Sequence, residues 1–253
     1  MVIQVFMRLI LAPLEFIFFG GRRGIDNADE GLRYLPISDA ILTGKVTEPG
    51  ILEIGSGAKG ITPYVPYSVT GLDIAFNGAV AKNLKPVVHS SSKLPFPDRS
   101  FDYVISVDML EHVPPAQRFD VISEMLRVAD KRIFIAVPCG KPAEIHDKNM
   151  DDLYFRWKGE RYDYLREHVE NGLPDKEELQ SFINETASQQ GRSISLSVMP
   201  NVNLRVRSCY MKLWIMPKSA LLFNLLSPFF CIARKRLNFG ECYRQIFIVD
   251  LIT

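Results

Sequence analysis

Apolar residues along this chain fall into short runs that close on glycine, proline or an acid, separated by stretches with helical spacing. Ile51-Leu-Glu-Ile54 runs into Gly55-Ser-Gly57, with Gly60 three residues later. Ser68 to Asp73, Lys85 to His89, Tyr103 to Val107 and Arg132 to Val137 are four more short apolar runs. Runs of this length with few interior polar positions predict strands buried on both faces, as in a parallel sheet. Between the last two, Phe119, Ile122, Met125, Leu126 and Val128 recur at helical spacing and predict a helix over Ala116 to Val128. Tyr34, Leu35, Ile37, Ile41 and Leu42 do the same for a helix from about Gly31 to Gly44. Pro174-Asp-Lys-Glu-Glu-Leu179 places proline and acids where a helix begins. Ser193 to Val198 alternates and Tyr243 to Asp250 is apolar, which predicts two final strands. Strands alternating with helices predict an α/β, doubly wound, seven-stranded and mostly parallel sheet.

The first strand carries the most chemistry. A strand that ends in a glycine turn lets a ligand approach bare backbone, and a helix starting there would point free N–H groups at it. Glu53, two residues before the first glycine, would repel a pyrophosphate and suit a ligand with positive charge. S-adenosylmethionine, with a cationic amino group and sulfonium, fits better than a dinucleotide. Asp73 closes the second strand at close to the spacing expected of a ribose-binding acid.

With Leu94-Pro-Phe-Pro-Asp-Arg-Ser-Phe-Asp102 leading through the fourth strand to Asp108-Met-Leu-Glu-His112, the chain resembles the class I S-adenosylmethionine-dependent methyltransferases of the type 11 kind. The resemblance rests on Ile51–Gly57, Gly71–Asp73, Leu94–Val113 and the strand ending at Val137-Pro138, roughly residues 50–138. It implies a Rossmann-like methyltransferase fold and S-adenosylmethionine as cofactor. It assigns the methionine part to Glu53, Gly55, Ser56 and Gly57, and the ribose to Asp73 with Ile74 beside it. The adenine falls to the loop at Ser90 and Ser91, and Val107 and Asp108 line the methyl-transfer cavity. One position departs from the pattern: an acid is usual four residues before the leucine of Leu94-Pro-Phe96, and here it is Ser90. A hydroxyl can still bond the adenine amino group. Glu53 and the 94–113 block speak against a nucleotide-dependent oxidoreductase, and the Tyr154-x-x-x-Lys158 pair stands alone as a dehydrogenase feature. A non-catalytic methyltransferase-like scaffold at a membrane is the other alternative, kept open by Ser90.

Beyond the fifth strand, Glu144, His146, Asp147 and Asp151 lie where acceptors gather in this type of sheet. His146 with Asp147 is the candidate general base, since imidazole titrates near working pH. The four acidic and imidazole groups read equally as solvated loop charges, and the same set could seat a divalent metal, though none is assigned. Glu111-His112 reads as an acid–base pair or as a tether between loop and helix. Small-molecule, glycan and lipid-linked acceptors are the partners considered, with O-methylation favoured.

Composition changes the picture at three points. Lys+Arg 30 against Asp+Glu 29 leaves no basic footprint for a nucleic acid. Cys139, Cys209, Cys231 and Cys242 are scattered, which argues against a disulfide framework or a cysteine zinc site and suits a cytoplasmic protein. Met1 to Phe19 is nearly all apolar, and Gln4, Arg8 and Glu15 fall within about 40° of one another on a helix. Residues 1–24 are thus read as an apolar amphipathic helix, which either covers the core or lies at a membrane surface, and 25–253 as the methyltransferase domain. Insertions at about 139–190 and 200–240 would face the acceptor or membrane. The second of these holds the apolar Ala220–Ala233 run ahead of Arg234-Lys-Arg236, whose basic side chains could reach lipid headgroups at the cytoplasmic membrane.

Overall fold

The computed structural model describes residues 27–91, 93–216 and 219–252, so the apolar 1–24 segment lies outside the described residues. Seven strands form one sheet: β1 (Ile51–Ile54), β2 (Val69–Asp73), β3 (Leu84–Val88), β4 (Phe101–Val107), β5 (Ala129–Pro138), β6 (Ser193–Asn203) and β7 (Cys242–Ile252). Their order is β3-β2-β1-β4-β5-β7-β6. β1 to β5 are parallel and β7 runs antiparallel to both its neighbours. The two edge strands, β3 and β6, carry Pro86 and Pro200 in their interiors, where an inner strand would lose a ladder hydrogen bond.

Seven helices accompany the sheet among the described residues: α1 (Ala28–Leu42), α2 (Pro115–Val128), α3 (Gly140–Lys158), α4 (Asp163–Asn171), α5 (Lys176–Gln189), α6 (Leu204–Ile215) and α7 (Ala220–Ala233). Two cores follow. On one face Val121, Ile122, Met125 and Leu126 of α2 and Leu179 and Ile183 of α5 pack on Leu52, Val104, Ile133 and Ile135. On the other, Tyr34, Leu35, Ile37 and Ile41 of α1 and Cys231 of α7 pack on Ile51, Ile105, Phe134 and Ile246.

α1 begins under Asn27, whose side chain accepts from the amides of Asp29 and Glu30. Pro36 inside α1 has no N–H, which frees the carbonyl of Leu32 four residues earlier. Asn201 of β6 donates to that carbonyl at 3.1 Å, so a helix defect becomes the tie between α1 and the sheet.

Three expectations are corrected. The chain after the glycine turn is not a helix: residues 55–65 form successive turns, with Gly55, Gly57 and Gly60 all at positive φ and Pro63 and Pro66 close behind. Left-handed residues and prolines this dense prevent a regular i to i−4 ladder. The 139–158 segment, read as loop charges, is α3. Its buried positions Ala143, His146, Asp147, Met150 and Asp151 keep helical spacing, but three of the five are polar and hide the period. β6 continues to Asn203, beyond the alternating part at Ser193–Val198.

Candidate active site

The parallel strands end on one edge of the sheet, and β7 and α3 begin there, since Pro138 pairs with Arg244 and Arg244 with Asn201. Glu53 lies in the middle of β1, paired with Gly71 of β2 and Ile105 of β4, and is fully buried. Its carboxylate accepts from the Tyr34 hydroxyl at 2.9 Å and the Ile61 amide at 2.7 Å. A Cβ on Gly60 would overlap this carboxylate, so only glycine lets the turn fold over it. Burial, partly offset by these two donors, pushes Glu53 up from its ordinary 4.5 to about 7.

The other residues expected to hold the cofactor lie around this turn. The Gly57 amide donates to Asp73 at 2.8 Å, tying the glycine turn to the end of β2. Ser56 is buried and its hydroxyl donates to the Gly57 carbonyl at 3.0 Å. Gly55 adopts φ +75° and passes directly under Met109. Ile74 is 73% exposed and Val88 70% exposed, so two apolar side chains stand uncovered where β2 and β3 end. Ser90 and Ser91 are exposed next to them. Val107 departs from its assignment: it is packed in the sheet core with Ile105 and Phe134, so its side chain is taken.

Asp108 follows β4 at φ +48°, a strained position for a non-glycine residue. It is held there by Arg244 of β7, which donates from both Nε and Nη2, and by Arg33 of α1 at 3.2 Å. Arg244 is fully buried and also donates to Asn201 at 2.9 Å. Arg33 bridges to Asp29 at 3.0 Å, and Asp29 binds Arg207 of α6 at 2.9 Å. Arg207 stacks on Tyr243 with 3.6 Å from its guanidinium carbon to the ring centre. The two arginines beside Asp29 hold its pKa well below the usual carboxylate range against the opposing effect of burial. A buried network of three arginines and two aspartates therefore joins α1, β4, α6 and β7 at the sheet edge. The sequence reading missed its arginines. The available signal was Arg244 in the middle of an otherwise apolar strand.

His146 and Asp147 are not in a solvated loop; both are buried on α3. Asp147 accepts from Tyr243 Oη at 2.8 Å and from His168 Nδ1 at 2.7 Å, with His146 Nδ1 at 3.3 Å. These contacts hold its pKa far below normal although burial opposes them. A carboxylate so fully engaged orients its neighbours and is a poor proton acceptor. Burial lowers His146 as well, and its Nε2 has no partner among the described residues. The other sequence-derived metal candidates are also engaged: Glu144 with Lys141 and the Leu173 amide, Asp151 with Arg161 and the Tyr162 amide.

A different group converges instead. Glu111 and His112 sit on a 3-10 turn (Leu110–His112) just past β4, facing His168 of α4. Asn171, at the end of α4, donates to the carbonyls of Glu111 and His112 at 3.3 and 3.4 Å. Arg118 of α2 clamps the same junction through the Val113 carbonyl at 3.0 Å and the Gly172 carbonyl at 2.7 Å.

Residues 52–135 match the family model described as a methyltransferase domain, about a third of the chain. The match spans the glycine turn, Asp73 and the 3-10 turn in one stretch. Residues 52–135 are thus similar to S-adenosylmethionine-dependent methyltransferase domains. No curated protein matches the chain. Solved structures similar to this chain include a possible histamine N-methyltransferase of Thermotoga maritima, at 13% identity and TM-score 0.52 over 98% of each chain. Magnesium protoporphyrin IX methyltransferase of Synechocystis, solved with S-adenosylhomocysteine, is similar at 14% identity and TM-score 0.50, over 98% of this chain and 99% of that one. Phosphoethanolamine N-methyltransferase 2 of Haemonchus contortus matches at 16% identity and TM-score 0.52, over 97% of this chain and 59% of its own. At such identities these likenesses bear on the fold, and their substrates differ widely.

Proposed function

We propose that the protein transfers the methyl group of S-adenosylmethionine to an oxygen of a small-molecule, glycan or lipid-linked acceptor. The observation that carries the cofactor half is the pairing of two acids on adjacent strands around one glycine turn. Glu53 suits the cationic amino group, Asp73 can accept from ribose hydroxyls, and exposed Ile74 offers a flat apolar contact to adenine. Arg33, close enough to Glu53 to affect its ionisation and with a buried, unpaired Nε, suits the cofactor's carboxylate. The reaction is an in-line displacement: the oxygen–carbon bond forms as the sulfur–carbon bond breaks, and the acceptor's proton leaves to solvent. Holding donor and acceptor close and collinear supplies most of the rate.

Calorimetry with S-adenosylmethionine tests the cofactor half. Micromolar binding is expected, weakened about 10- to 100-fold in Asp73→Ala, which removes hydrogen bonds from two hydroxyls to a charged group. Folded protein that binds no cofactor would favour the scaffold alternative and point to Ser90.

The lipid half rests on α7. Leu221, Leu222, Leu225 and Phe229 are 43–61% exposed on α7 and lie within about 100° of one another. Exposed Lys235 and Arg236 follow, a pattern suited to an interface helix. No helix among the described residues is long and apolar enough to cross a membrane. The full chain is expected to sediment with vesicles containing anionic lipid, and Leu225→Ser with Phe229→Ser to stay in the supernatant. Equal sedimentation of the double variant, or none of the parent, removes lipid from the proposal.

A further inference from the structure

The 3-10 turn and α4 bring together three groups that can each offer an electron pair to one space. His112 Nδ1 lies 2.7 Å from Glu167 and His168 Nδ1 lies 2.7 Å from Asp147. A carboxylate at Nδ1 fixes the proton there and leaves Nε2 as a bare lone pair. The two Nε2 atoms nevertheless face each other at 3.4 Å. Glu111, fully buried, points its carboxylate at the same space with Oε1 3.8 Å from His168 Nε2. Neither of its oxygens has a hydrogen-bond partner among the described residues. Taking up a proton would not cure this, because the resulting hydroxyl would find its imidazole neighbour beyond hydrogen-bond reach.

We propose that Glu111, His112 and His168 form a binding site for a divalent transition-metal ion of the zinc type, with one coordination position open to an oxygen of the methyl acceptor. Two imidazoles and one carboxylate are a ligand set that catalytic zinc uses, and such sites keep a fourth position free. With metal–nitrogen bonds of about 2.0–2.1 Å, a 3.4 Å separation of the nitrogens subtends roughly 110°, near the tetrahedral angle. The three ligand atoms lie within 4.8 Å of one another, so small side-chain adjustments close the set. The orienting carboxylates are already in place: Glu167 behind His112 and Asp147 behind His168. Asp108 stays outside the set, held by Arg33 and Arg244. Access is from the side of His112, whose side chain is 24% exposed while Glu111 and His168 are buried.

The metal's use in catalysis rests on the methyl-transfer reading above; its binding does not. The site follows β4 directly. A hydroxyl entering the open position would lose its proton to solvent more readily and present a lone pair to the sulfonium methyl. Sequence spacing gave little hint of the set, because His168 lies 56 residues beyond His112 on a separate element.

The test uses the untagged full chain, stripped with a chelator and titrated with Co²⁺ under visible absorption, with Zn²⁺ as competitor. One equivalent with a tetrahedral ligand-field spectrum is expected, displaced by Zn²⁺. Glu111→Gln and His168→Gln should each abolish it. Glu167→Gln, at a partly exposed position, should weaken it about 10- to 100-fold by releasing His112 alone. Circular dichroism checks folding; if His168→Gln fails there, the near-isosteric Glu111→Gln and Glu167→Gln decide. No stoichiometric binding, or binding that Glu111→Gln leaves intact, overturns the site. Cofactor calorimetry on the same samples separates the two readings. Metal without cofactor binding keeps the site and sinks methyl transfer, whereas cofactor without metal does the reverse.

Discussion

Arg244→Ala is expected to lower the stability of the protein by about 3–5 kcal/mol, a large part of the 5–15 kcal/mol typical of a folded domain. Arg244 is fully buried, and its guanidinium carries the main ion pair to Asp108 together with the bond to Asn201. Removing it strands Asp108 in a left-handed conformation with Arg33 as its one remaining cation among the described residues. It also strands Asn201, and through it the Leu32 carbonyl that Pro36 leaves open. The cost comes from the uncompensated charge more than from the lost pair. Arg244→Met combined with Asp108→Asn should therefore be less damaging than the sum of the single changes, by roughly 1–3 kcal/mol. Urea midpoints of the parent, the single variants and the double variant give this coupling. An Arg244→Ala loss under about 1 kcal/mol would mean that the charge has reached water, contrary to its burial.

The network explains how far this structure can be read from its sequence. The inner strands β1, β4 and β5 were legible as short apolar runs, because burial on both faces makes such runs continuous, whereas edge strand β6 was legible from alternation. Glu53 and Asp73 stood out for a related reason: they interrupt those runs at strand positions where a carboxylate needs a partner. α3 was not, since its buried stripe reads Ala143, His146, Asp147, Met150, Asp151 and carries almost no hydrophobic period. Nor was the use made of Asp147, which depends on Tyr243 and His168, distant in sequence and brought together by the fold. The turns after β1 were misjudged on the strength of the glycine pattern alone. Pro63 and Pro66 sat in plain view and argued against a helix.

The same turns shape the second large effect, which concerns Glu53 and pH. In a usual glycine loop the helix N-terminus supplies amides to the ligand. Here the amides of Gly57 and Ile61 are spent on Asp73 and Glu53, so the ionic state of Glu53 gains weight. Tyr34 and Arg33 face it from α1, Asp73 faces it from β2, and the Ile61 amide caps it. Its pKa is about 7 without ligand, against an ordinary 4.5 that it regains when unfolded. Below pH 4.5 both states hold the proton and the contribution of Glu53 to stability is at its most favourable. From there to about 7 the unfolded chain gives up its proton while the folded one keeps it. That erodes stability by about 1.4 kcal/mol per unit, on the order of 3 kcal/mol in all. Above about 7 both are ionised and the loss is complete.

Cofactor binding runs the other way. If the cofactor's cationic amino group sits at Glu53 as proposed, it favours the ionised carboxylate and draws its pKa down, so binding is expected to release a proton. Affinity for S-adenosylmethionine is expected to rise on the order of tenfold between about pH 5.5 and 7.5. Glu53→Gln, which can still accept from the Ile61 amide, should flatten that rise and bind weakly throughout. At neutral pH it should also melt higher than the parent, because an uncharged amide replaces a buried carboxylate. Calorimetry across this pH range in two buffers of different ionisation enthalpy counts the released proton directly. A flat affinity profile for the parent, or a Glu53→Gln variant that binds as tightly as the parent at pH 7.5, would remove Glu53 from the cofactor's amino group. Its buried charge would then be a structural cost borne by the turn at Gly60 alone.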